Sequence, residues 1–268
     1  MSHLESDDIR KAVREQYGKV AESGQSGCGC SITSCCSDTL PDAKNASMAL
    51  GYSNDNVNDV PEGANMGLGC GNPQAIASLK PGETVLDLGS GGGFDCFLAA
   101  SEVGESGQVI GVDMTPAMVS KARENVDKTG FSHIDFRLGE IENLPVSDSI
   151  VDVIISNCVI NLSPEKEKVF NESFRVLKPG GRLAISDVVT TAELPMEIKE
   201  DISALTGCVS GASGISDIEN MLINAGFDGI EIKSKDESRA FIRNWQPDSK
   251  IEDFIVSATI EAVKPLGN

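Results

Sequence analysis

The sequence predicts an α/β protein with a doubly wound, mostly parallel sheet of seven strands, an N-terminal cap and a late insertion. Two observations support this prediction. From about residue 80 onward, short apolar segments alternate with amphipathic segments of helix length, which is the pattern of parallel strands covered by helices on both faces. The first apolar segment also runs directly into a series of glycines, a connection at which such sheets bind ligands.

The apolar segments expected to form the five parallel strands are, in chain order, Thr84–Leu88, Gln108–Asp113, Ile134–Leu138, Val151–Ser156 and Arg182–Asp187. A final pair of strands is expected at Gly229–Lys233 and Phe254–Ile260. Amphipathic patterning predicts helices at Phe94–Val103, Thr115–Thr129, Pro164–Leu177 and Ser216–Ala225. The helix-like segment Pro195–Leu205, after the fifth strand, is the predicted insertion.

Upstream of this pattern, the chain has an amphipathic stretch, Ile9–Val20, and a Gly/Ser/Cys-rich loop, Ser23–Asp38. A short helical stretch, Asp42–Leu50, follows the loop. We therefore expect three regions: a cap over residues 1–72, a core over residues 73–190, and a region over residues 191–268 that holds the insertion, a loop and the last strands.

Composition indicates a cytoplasmic protein. The 40% hydrophobic and 24% charged residues are ordinary for a globular chain, and no apolar run approaches the roughly 20 residues that span a bilayer. The N-terminal stretch lacks the apolar core of a signal peptide. The net charge of −19 argues against nucleic acid, because phosphate binding requires clustered Lys and Arg. We expect a cytoplasmic monomer without nucleic-acid or membrane partners, and solubility explains the acidity.

The segment Val85–Gly93, VLDLGSGGG, is the most informative part of the chain. Its glycines let the backbone approach a ligand at the carboxyl end of the first strand. Asp113 closes the second strand, where a carboxylate can accept hydrogen bonds from ribose hydroxyls. A dinucleotide site of the NAD type requires a third glycine where Phe94 stands. We therefore predict a nucleoside site, with a simple tight turn as the alternative.

Eight cysteines need an explanation in a chain expected in the cytoplasm, where thiols more often bind metals or react than form disulfides. Cys70, Cys158 and Cys208 lie in separate loops that can meet at the carboxyl edge of the sheet. Three converging thiolates make a soft site that suits trivalent arsenic, although spacing alone leaves zinc open. Cys96 lies inside a predicted helix and is interpreted as a small buried apolar residue.

The cofactor motifs resemble those of class I methyltransferases over roughly residues 80–190. Asp87–Gly93 is similar to their first motif, Gly111–Met114 to their second, Gly139–Pro145 to their adenine-edge loop and Leu177–Leu183 to their turn into strand five. The resemblance implies a Rossmann-like methyltransferase sheet with S-adenosylmethionine as methyl donor. The cofactor-binding residues that it implies are Asp87, Gly89, Ser90, Gly91, Asp113, Met114, Ile141, Glu142 and Asn157.

Other segments resemble arsenite methyltransferases. They are Asn157-Cys158 followed by Asn161-Leu162-Ser163, Gly207–Ala212, Gly69–Pro73, and Tyr17–Val20 leading to Cys35-Cys36. The resemblance implies that the three downstream cysteines, Cys70, Cys158 and Cys208, bind arsenic as substrate and that an upstream thiol takes part in a thiol–disulfide relay. Cys35 and Cys36 match that pattern, whereas Cys28-Gly29-Cys30 departs from it and leaves open which thiol relays.

The predicted reaction is a linear displacement onto arsenic, which keeps a lone pair on three sulfurs and needs no general base. This suits a chain whose two histidines, His3 and His133, are far apart. The resemblance further implies arsenite or its thiol conjugates as substrate, thioredoxin or glutathione as reductant, and detoxification as the role. The alternatives are a class I methyltransferase of another small metabolite and a non-enzymatic thiol binder of metalloids.

Overall fold

The computed structural model describes residues 6–23, 43–199, 207–245 and 249–267. Its strands are β1 Thr84–Leu88, β2 Gln108–Asp113, β3 Ile134–Leu138, β4 Val151–Asn157, β5 Leu177–Thr190, β6 Ser213–Gly214, β7 Asp228–Lys235 and β8 Ile255–Val263. They form one sheet in the order β3-β2-β1-β4-β5-β8-β7, with β6 beside β5.

The helices that accompany this sheet are α1 Ser6–Ser23, α2 Ala43–Ala49, α3 Asn54–Asn58, α4 Gln74–Ala77, α5 Phe94–Val103, α6 Pro116–Asp127, α7 Lys166–Val176, α8 Met196–Lys199, α9 Ile215–Ala225 and α10 Arg239–Ile242. Short 3₁₀ turns lie at Ile160–Leu162, Asp236–Ser238 and Ile251–Asp253. Within the described ranges, no helix has both the length and the apolar character that crossing a bilayer requires.

The doubly wound, mostly parallel sheet that the sequence predicts is confirmed. β1 pairs in parallel with β2 on one side and with β4 on the other, and β3 and β5 extend the parallel part outward. β8 lies antiparallel between β5 and β7, so the predicted final pair of strands completes the sheet. Val85, Leu86 and Leu88 of β1 are fully buried, because helices cover both faces of a central parallel strand.

Some boundaries differ from the prediction. β5 is longer than Arg182–Asp187, because Leu177 already pairs with β4 and because β8 continues beside the strand as far as Thr190. β6 adds an eighth strand, whose two residues are too few to show any periodicity in the sequence. Of the predicted insertion helix, α8 is the described helical part, and residues 200–206 lie outside the described residues. The division into three regions stays a prediction.

The topology places one crevice at the carboxyl ends of the parallel strands. From β1 the chain continues to β2 on one side of the sheet and later to β4 on the other, so the loops that follow β1 and β4 diverge at this point. α1 packs against α6 and against the 3₁₀ turn that follows β4. The N-terminal helix therefore lies beside the crevice.

Candidate active site

The turn between β1 and α5 forms the floor of the crevice. Gly89 has a φ of +70°, and a Cβ there would lie 2.3 Å from the Val159 side chain, so this position requires glycine. The backbone N–H groups of Gly89 and Ser90 donate to the carbonyl of Val112 at 2.8 and 3.0 Å, which fixes the turn against β2. The Cβ side of Gly91 meets no atom within 4 Å, so a ligand can approach the backbone there.

A cavity above this turn is lined by all the residues that the sequence predicts to bind the cofactor, namely Asp87, Gly89, Ser90, Gly91, Asp113, Met114, Ile141, Glu142 and Asn157. Val13 and Tyr17 of α1 also line it. Two of the predicted arsenic ligands, Cys158 and Cys208, line the same cavity. The candidate cofactor residues therefore share one space with two of the three candidate acceptor residues, whereas Cys70 is not among the lining residues.

Asp113 ends β2 with its carboxylate at the cavity. Oδ2 accepts the N–H of Gly91 at 3.0 Å, and Oδ1 accepts the N–H of Thr115 at 2.8 Å. Each oxygen keeps a further lone pair for a ligand. Burial raises the pKa of Asp113 above its usual value, against the effect of the two backbone donors, which lower it. Asp113 is thus an anchored acceptor that suits a pair of ribose hydroxyls.

Two buried polar atoms at the cavity have neither a hydrogen bond nor an ion pair with the described residues. They are the hydroxyl of Ser90, a residue that is 7% exposed, and Nδ2 of Asn65. Leaving such a group unpaired costs about 1–3 kcal/mol unless a ligand or water satisfies it. Together with the open side of Gly91, these atoms fit a polar ligand such as the predicted S-adenosylmethionine.

Arg10 of α1 also lines the cavity, although the sequence does not predict it. Its guanidinium lies 2.6 Å from Glu165 and 3.2 Å from Glu142. The same Glu142 oxygen accepts the hydroxyl of Ser163 at 2.7 Å. The side chains of Arg10 and Glu142 are only 10% and 6% exposed, so water screens this ion pair less than a surface pair. Arg10 therefore anchors α1 beside the loop predicted to border adenine.

Asp87 and Asp95 are two buried carboxylates that line the cavity beside the glycine turn. Asp87 accepts the thiol of Cys96 at 3.3 Å, and burial raises the pKa of this carboxyl well above its usual range. Asp95, which the sequence does not predict, accepts the hydroxyl of Tyr52 at 2.8 and 3.0 Å. Burial raises the pKa of Asp95 to about 6. Two acidic groups buried together favour a cationic ligand, because a positive charge offsets the cost of ionising them.

Asn157 ends β4 and holds the loop that carries Cys70. Its Oδ1 accepts the N–H of Cys70 at 3.0 Å, and its Nδ2 donates to the carbonyl of Gly71 at 2.9 Å and to the hydroxyl of Tyr52 at 3.1 Å. A Cβ on Gly69 would lie 2.7 Å from this amide, so the close approach requires glycine. Although Asn157 lines the cavity, its side-chain polar atoms are therefore occupied in positioning the loop.

The three loop cysteines are buried in one cluster, in which Cys158 and Cys208 line the cavity and Cys70 lies behind its lining. The sulfurs of Cys70 and Cys158 and a carboxylate oxygen of Asp187 lie within 4.8 Å of one another. The thiol of Cys208 donates to the carbonyl of Cys158 at 2.8 Å. Cys158 and Cys208 have φ values of +59° and +63°, which non-glycine residues rarely adopt and which often mark a constrained functional site.

The pKa values of the thiols of Cys158 and Cys208 lie well above the usual range. For Cys158, the hydrogen bond with Cys208 lowers the pKa, but the bond with Cys70, burial and the charge of Asp187 together raise it by more. For Cys208, the bond with Cys158 raises the pKa most, and burial adds to this. These thiols are therefore protonated at neutral pH, and a ligand that binds them must displace protons.

Asp187, next to these thiols, is a further residue that the sequence does not predict. Its carboxylate accepts the backbone N–H groups of Ile160 and Val188 and the side-chain amide of Asn161, at 3.0, 2.8 and 2.8 Å. Burial raises the pKa of Asp187 to about 6 against these donors. Because Ile160 and Asn161 belong to the turn that follows Cys158, Asp187 fixes that turn against β5.

The four upstream cysteines predicted to serve redox chemistry, Cys28, Cys30, Cys35 and Cys36, lie outside the described residues, so the relay stays a prediction. Cys96 is buried in α5, as the sequence predicts, and its thiol is directed at Asp87.

The chain is similar to curated arsenite methyltransferases along most of its length. It is 56% identical over 265 residues to the arsenite methyltransferase of Halobacterium salinarum, and the aligned region covers 97% of this chain and 67% of that protein. It is 38% identical over 227 residues to the arsenite methyltransferase of Aquipseudomonas alcaligenes, and the aligned region covers 82% of this chain and 62% of that protein. The chain thus spans about two thirds of the length of these relatives.

A family model and a solved structure agree with these relatives. The model of a methyltransferase domain matches residues 79–226, a range that contains the glycine turn, Cys158 and Cys208. The crystal structure of an arsenic(III) S-adenosylmethionine methyltransferase from Chlamydomonas reinhardtii matches with a TM-score of 0.63 and 34% identity, over 85% of this chain and 76% of that one.

Proposed function

The chain belongs to the arsenite methyltransferase family, and we propose that it moves the methyl group of S-adenosylmethionine to trivalent arsenic held by Cys70, Cys158 and Cys208. One observation carries this proposal: three buried cysteines lie together beside a cavity whose floor is a glycine turn. Soft sulfur ligands select soft acceptors, and trivalent arsenic is one.

The cofactor residues have separate tasks in this proposal. S-adenosylmethionine, when bound, supplies a methyl group activated by a sulfonium charge. Asp113 accepts the ribose hydroxyls, and Ile141 and Glu142 border the adenine. The glycine turn, the unpaired hydroxyl of Ser90 and the buried carboxylates at the cavity hold the methionine part and offset its positive charge.

Arsenite enters as a neutral hydroxide, and each thiol replaces one hydroxyl group. An arsenic–sulfur bond forms, an arsenic–oxygen bond breaks, and the thiol proton leaves with the hydroxide as water. This exchange suits Cys158 and Cys208, whose raised pKa values keep them protonated at neutral pH. No free thiolate has to be buried before the substrate arrives.

The arsenic lone pair then forms the bond to the methyl carbon while the carbon–sulfur bond of the donor breaks. The electron pair of that bond remains on the donor sulfur, and arsenic is oxidised from the trivalent to the pentavalent state. Because the lone pair is already available, the residues do not need to act as a general base. Positioning contributes instead, and it can supply roughly 7–11 kcal/mol in favourable cases. α1, anchored by Arg10, is placed to exclude water.

A further methylation requires that the pentavalent product gain two electrons. We assign these electrons to a thiol co-substrate, thioredoxin or glutathione, in which two thiols are oxidised to one disulfide. Cys35 and Cys36 are the proposed relay between this reductant and the arsenic site. Detoxification of arsenite is the proposed role of the methylated products.

The test is an incubation of the protein with methyl-labelled S-adenosylmethionine, arsenite and a thiol reductant. We expect label in methylated arsenicals and consumption of the donor that depends on arsenite. Cys158→Ser is expected to abolish this transfer. Cys96→Ser is the control, because it removes another buried cysteine that lies outside the three loops. This variant is expected to bind arsenite as the unaltered protein does. Transfer of label that is indifferent to arsenite would instead indicate a methyltransferase of another small metabolite.

A further inference from the structure

A chain of hydrogen bonds connects the wall of the cofactor cavity to the loop that carries Cys70. The hydroxyl of Tyr52 donates a hydrogen bond of 2.8 Å to the carboxylate of Asp95, and its oxygen accepts a hydrogen bond of 3.1 Å from Nδ2 of Asn157. Oδ1 of Asn157 in turn accepts the N–H of Cys70 at 3.0 Å. Asp95 lines the cavity, and Cys70 is a proposed arsenic ligand. The hydroxyl of Tyr52 therefore lies between the donor side and the acceptor side of the proposed reaction.

The hydroxyl of Tyr52 is fixed in position and in its hydrogen-bonding roles. The residue is 4% exposed, and its ring packs edge-on against Phe94 with ring centroids 4.8 Å apart. Burial, together with the charge of Asp95, raises the pKa of Tyr52 well above its usual range, so the phenol keeps its proton. A neutral phenol can donate to Asp95 and accept from Asn157 at the same time. A phenylalanine ring can do neither.

The amide of Asn157 transmits this constraint to the loop. Nδ2 donates to the carbonyl of Gly71 as well as to Tyr52, so the tyrosine hydroxyl is one of the groups that orient the amide. The Asp95 carboxylate also interacts with the side chain of Asn157, which acts to lower the pKa of Asp95. The loop lies so close to Asn157 that a Cβ on Gly69 would come within 2.7 Å of the amide. A rotation of the amide therefore has to move the backbone of Gly69 and Cys70.

We propose that Tyr52 is a positioning residue. Its hydroxyl fixes the position of Asn157 and the Cys70 loop relative to Asp95 at the cofactor cavity, and this sets the distance between the methyl donor and arsenic. This inference rests on the proposed function. Tyr52 does not line the cavity, and it acts through Asp95 and Asn157. Its effect is therefore on the rate of methyl transfer between bound substrates and is small on the binding of either one alone.

The experiment compares the unaltered protein with Tyr52→Phe, which keeps the ring and its packing on Phe94. We expect kcat for arsenite methylation to fall by about 10- to 100-fold, since a small misplacement of bound reactants has an effect of this size. The dissociation constants of S-adenosylmethionine and of arsenite, each measured alone, should change by less than about threefold. Ser173→Ala is the matched control, because it also removes a buried hydroxyl, which donates to the carbonyl of Val169 in α7. It should leave kcat unchanged.

All three proteins are assayed at a temperature where circular dichroism shows the same folded fraction, so a loss of stability does not count as a loss of rate. A Tyr52→Phe variant with normal kcat overturns the inference, as does one whose rate falls only because one substrate binds more weakly. A fall of kcat in Ser173→Ala as large as that in Tyr52→Phe overturns it as well. Failure of the proposed function is a separate result, since the unaltered protein would then not methylate arsenite at all.

Discussion

Removing the carboxylate of Asp113 tests the cofactor site at the end of β2. In Asp113→Ala, the ribose of the proposed cofactor would lose a charged acceptor. The backbone N–H groups of Gly91 and Thr115, 3.0 and 2.8 Å away, lose their partner. A hydrogen bond to a charged group contributes about 1–3 kcal/mol, so the affinity for S-adenosylmethionine should fall by about 5- to 150-fold. Asp113→Asn keeps the shape and one acceptor oxygen, and we expect an intermediate loss.

The assay is calorimetric titration of each variant with S-adenosylmethionine, after circular dichroism has shown cooperative unfolding. Asp135→Ala is the matched control, because it removes a carboxylate from the neighbouring strand β3. Asp135 is half exposed and pairs with Arg137 at 2.7 Å, outside the cavity. Unchanged affinity in a folded Asp113→Ala variant would refute the ribose assignment. An equal loss of S-adenosylmethionine affinity in Asp135→Ala would show that the effect comes from the change in net charge and not from a contact of Asp113.

The remaining predictions concern the acceptor site, the relay and the stability of the fold. Replacing Cys70, Cys158 or Cys208 by Ser should weaken arsenite binding at least about tenfold, because arsenic prefers sulfur to oxygen ligands, while S-adenosylmethionine still binds. X-ray absorption that shows arsenic bound to oxygen, or only to the upstream cysteines, would contradict this. A Cys35→Ser/Cys36→Ser variant should bind arsenite but stall after a few turnovers with thioredoxin, and a normal steady rate would assign the relay to another thiol. Burial raises the pKa of Asp95 and of Asp187 to about 6, so their contribution to stability is fully present below the unfolded-state pKa and is lost as the pH rises through about 6. The free energy of unfolding in urea should therefore fall as the pH rises from about 4 to about 6.5, by at most about 3 kcal/mol for each group, and Asp95→Asn should flatten this fall; equal slopes in both proteins would argue against it. The net charge of −19 predicts that self-repulsion destabilises the folded chain. Raising the salt concentration from about 0.1 to 1 M shortens the Debye length from about 10 to 3 Å and should therefore raise the urea concentration at the midpoint of unfolding. A midpoint that does not change with salt would contradict this self-repulsion.

The features that the sequence predicts well are local ones. β1, β2 and β3 have the predicted bounds. β1 and β2 are mainly apolar runs, β3 alternates apolar residues with Asp135 and Arg137, and an aspartate or a glycine marks the end of each strand. The glycine turn and Asp113 lie at the ends of these strands, and parallel strands bring their carboxyl ends to one edge. The predicted cofactor residues therefore line one cavity, although they lie on separate segments of the chain.

The features that the sequence does not predict depend on contacts between distant segments. Arg10 pairs with Glu142 across 132 positions, and Tyr52 bonds to Asn157 across 105. An arginine in an amphipathic helix, or a tyrosine in a polar segment, carries no local pattern that identifies such a partner. Asp95 lies within a predicted helix, where its burial against the cavity depends on the packing of α5 on the sheet.

The proposed acceptor site shows how local patterns and long-range contacts combine. The position of Cys158 follows from the sheet, since it comes directly after β4. Cys70 and Cys208 belong to loops whose positions depend on hydrogen bonds from distant segments. The hydroxyl of Ser257 donates to the carbonyl of Cys70 at 2.7 Å, in addition to the bonds of Asn157, and the thiol of Cys208 donates to the carbonyl of Cys158 at 2.8 Å. The residue types therefore indicate the chemistry, whereas the distances between the sulfurs depend on which polar groups hold the loops. It follows that removing a group that bonds directly to one of these loops, as in Ser257→Ala, should impair arsenic binding more than it impairs the fold, because the apolar core that stabilises the sheet is not altered.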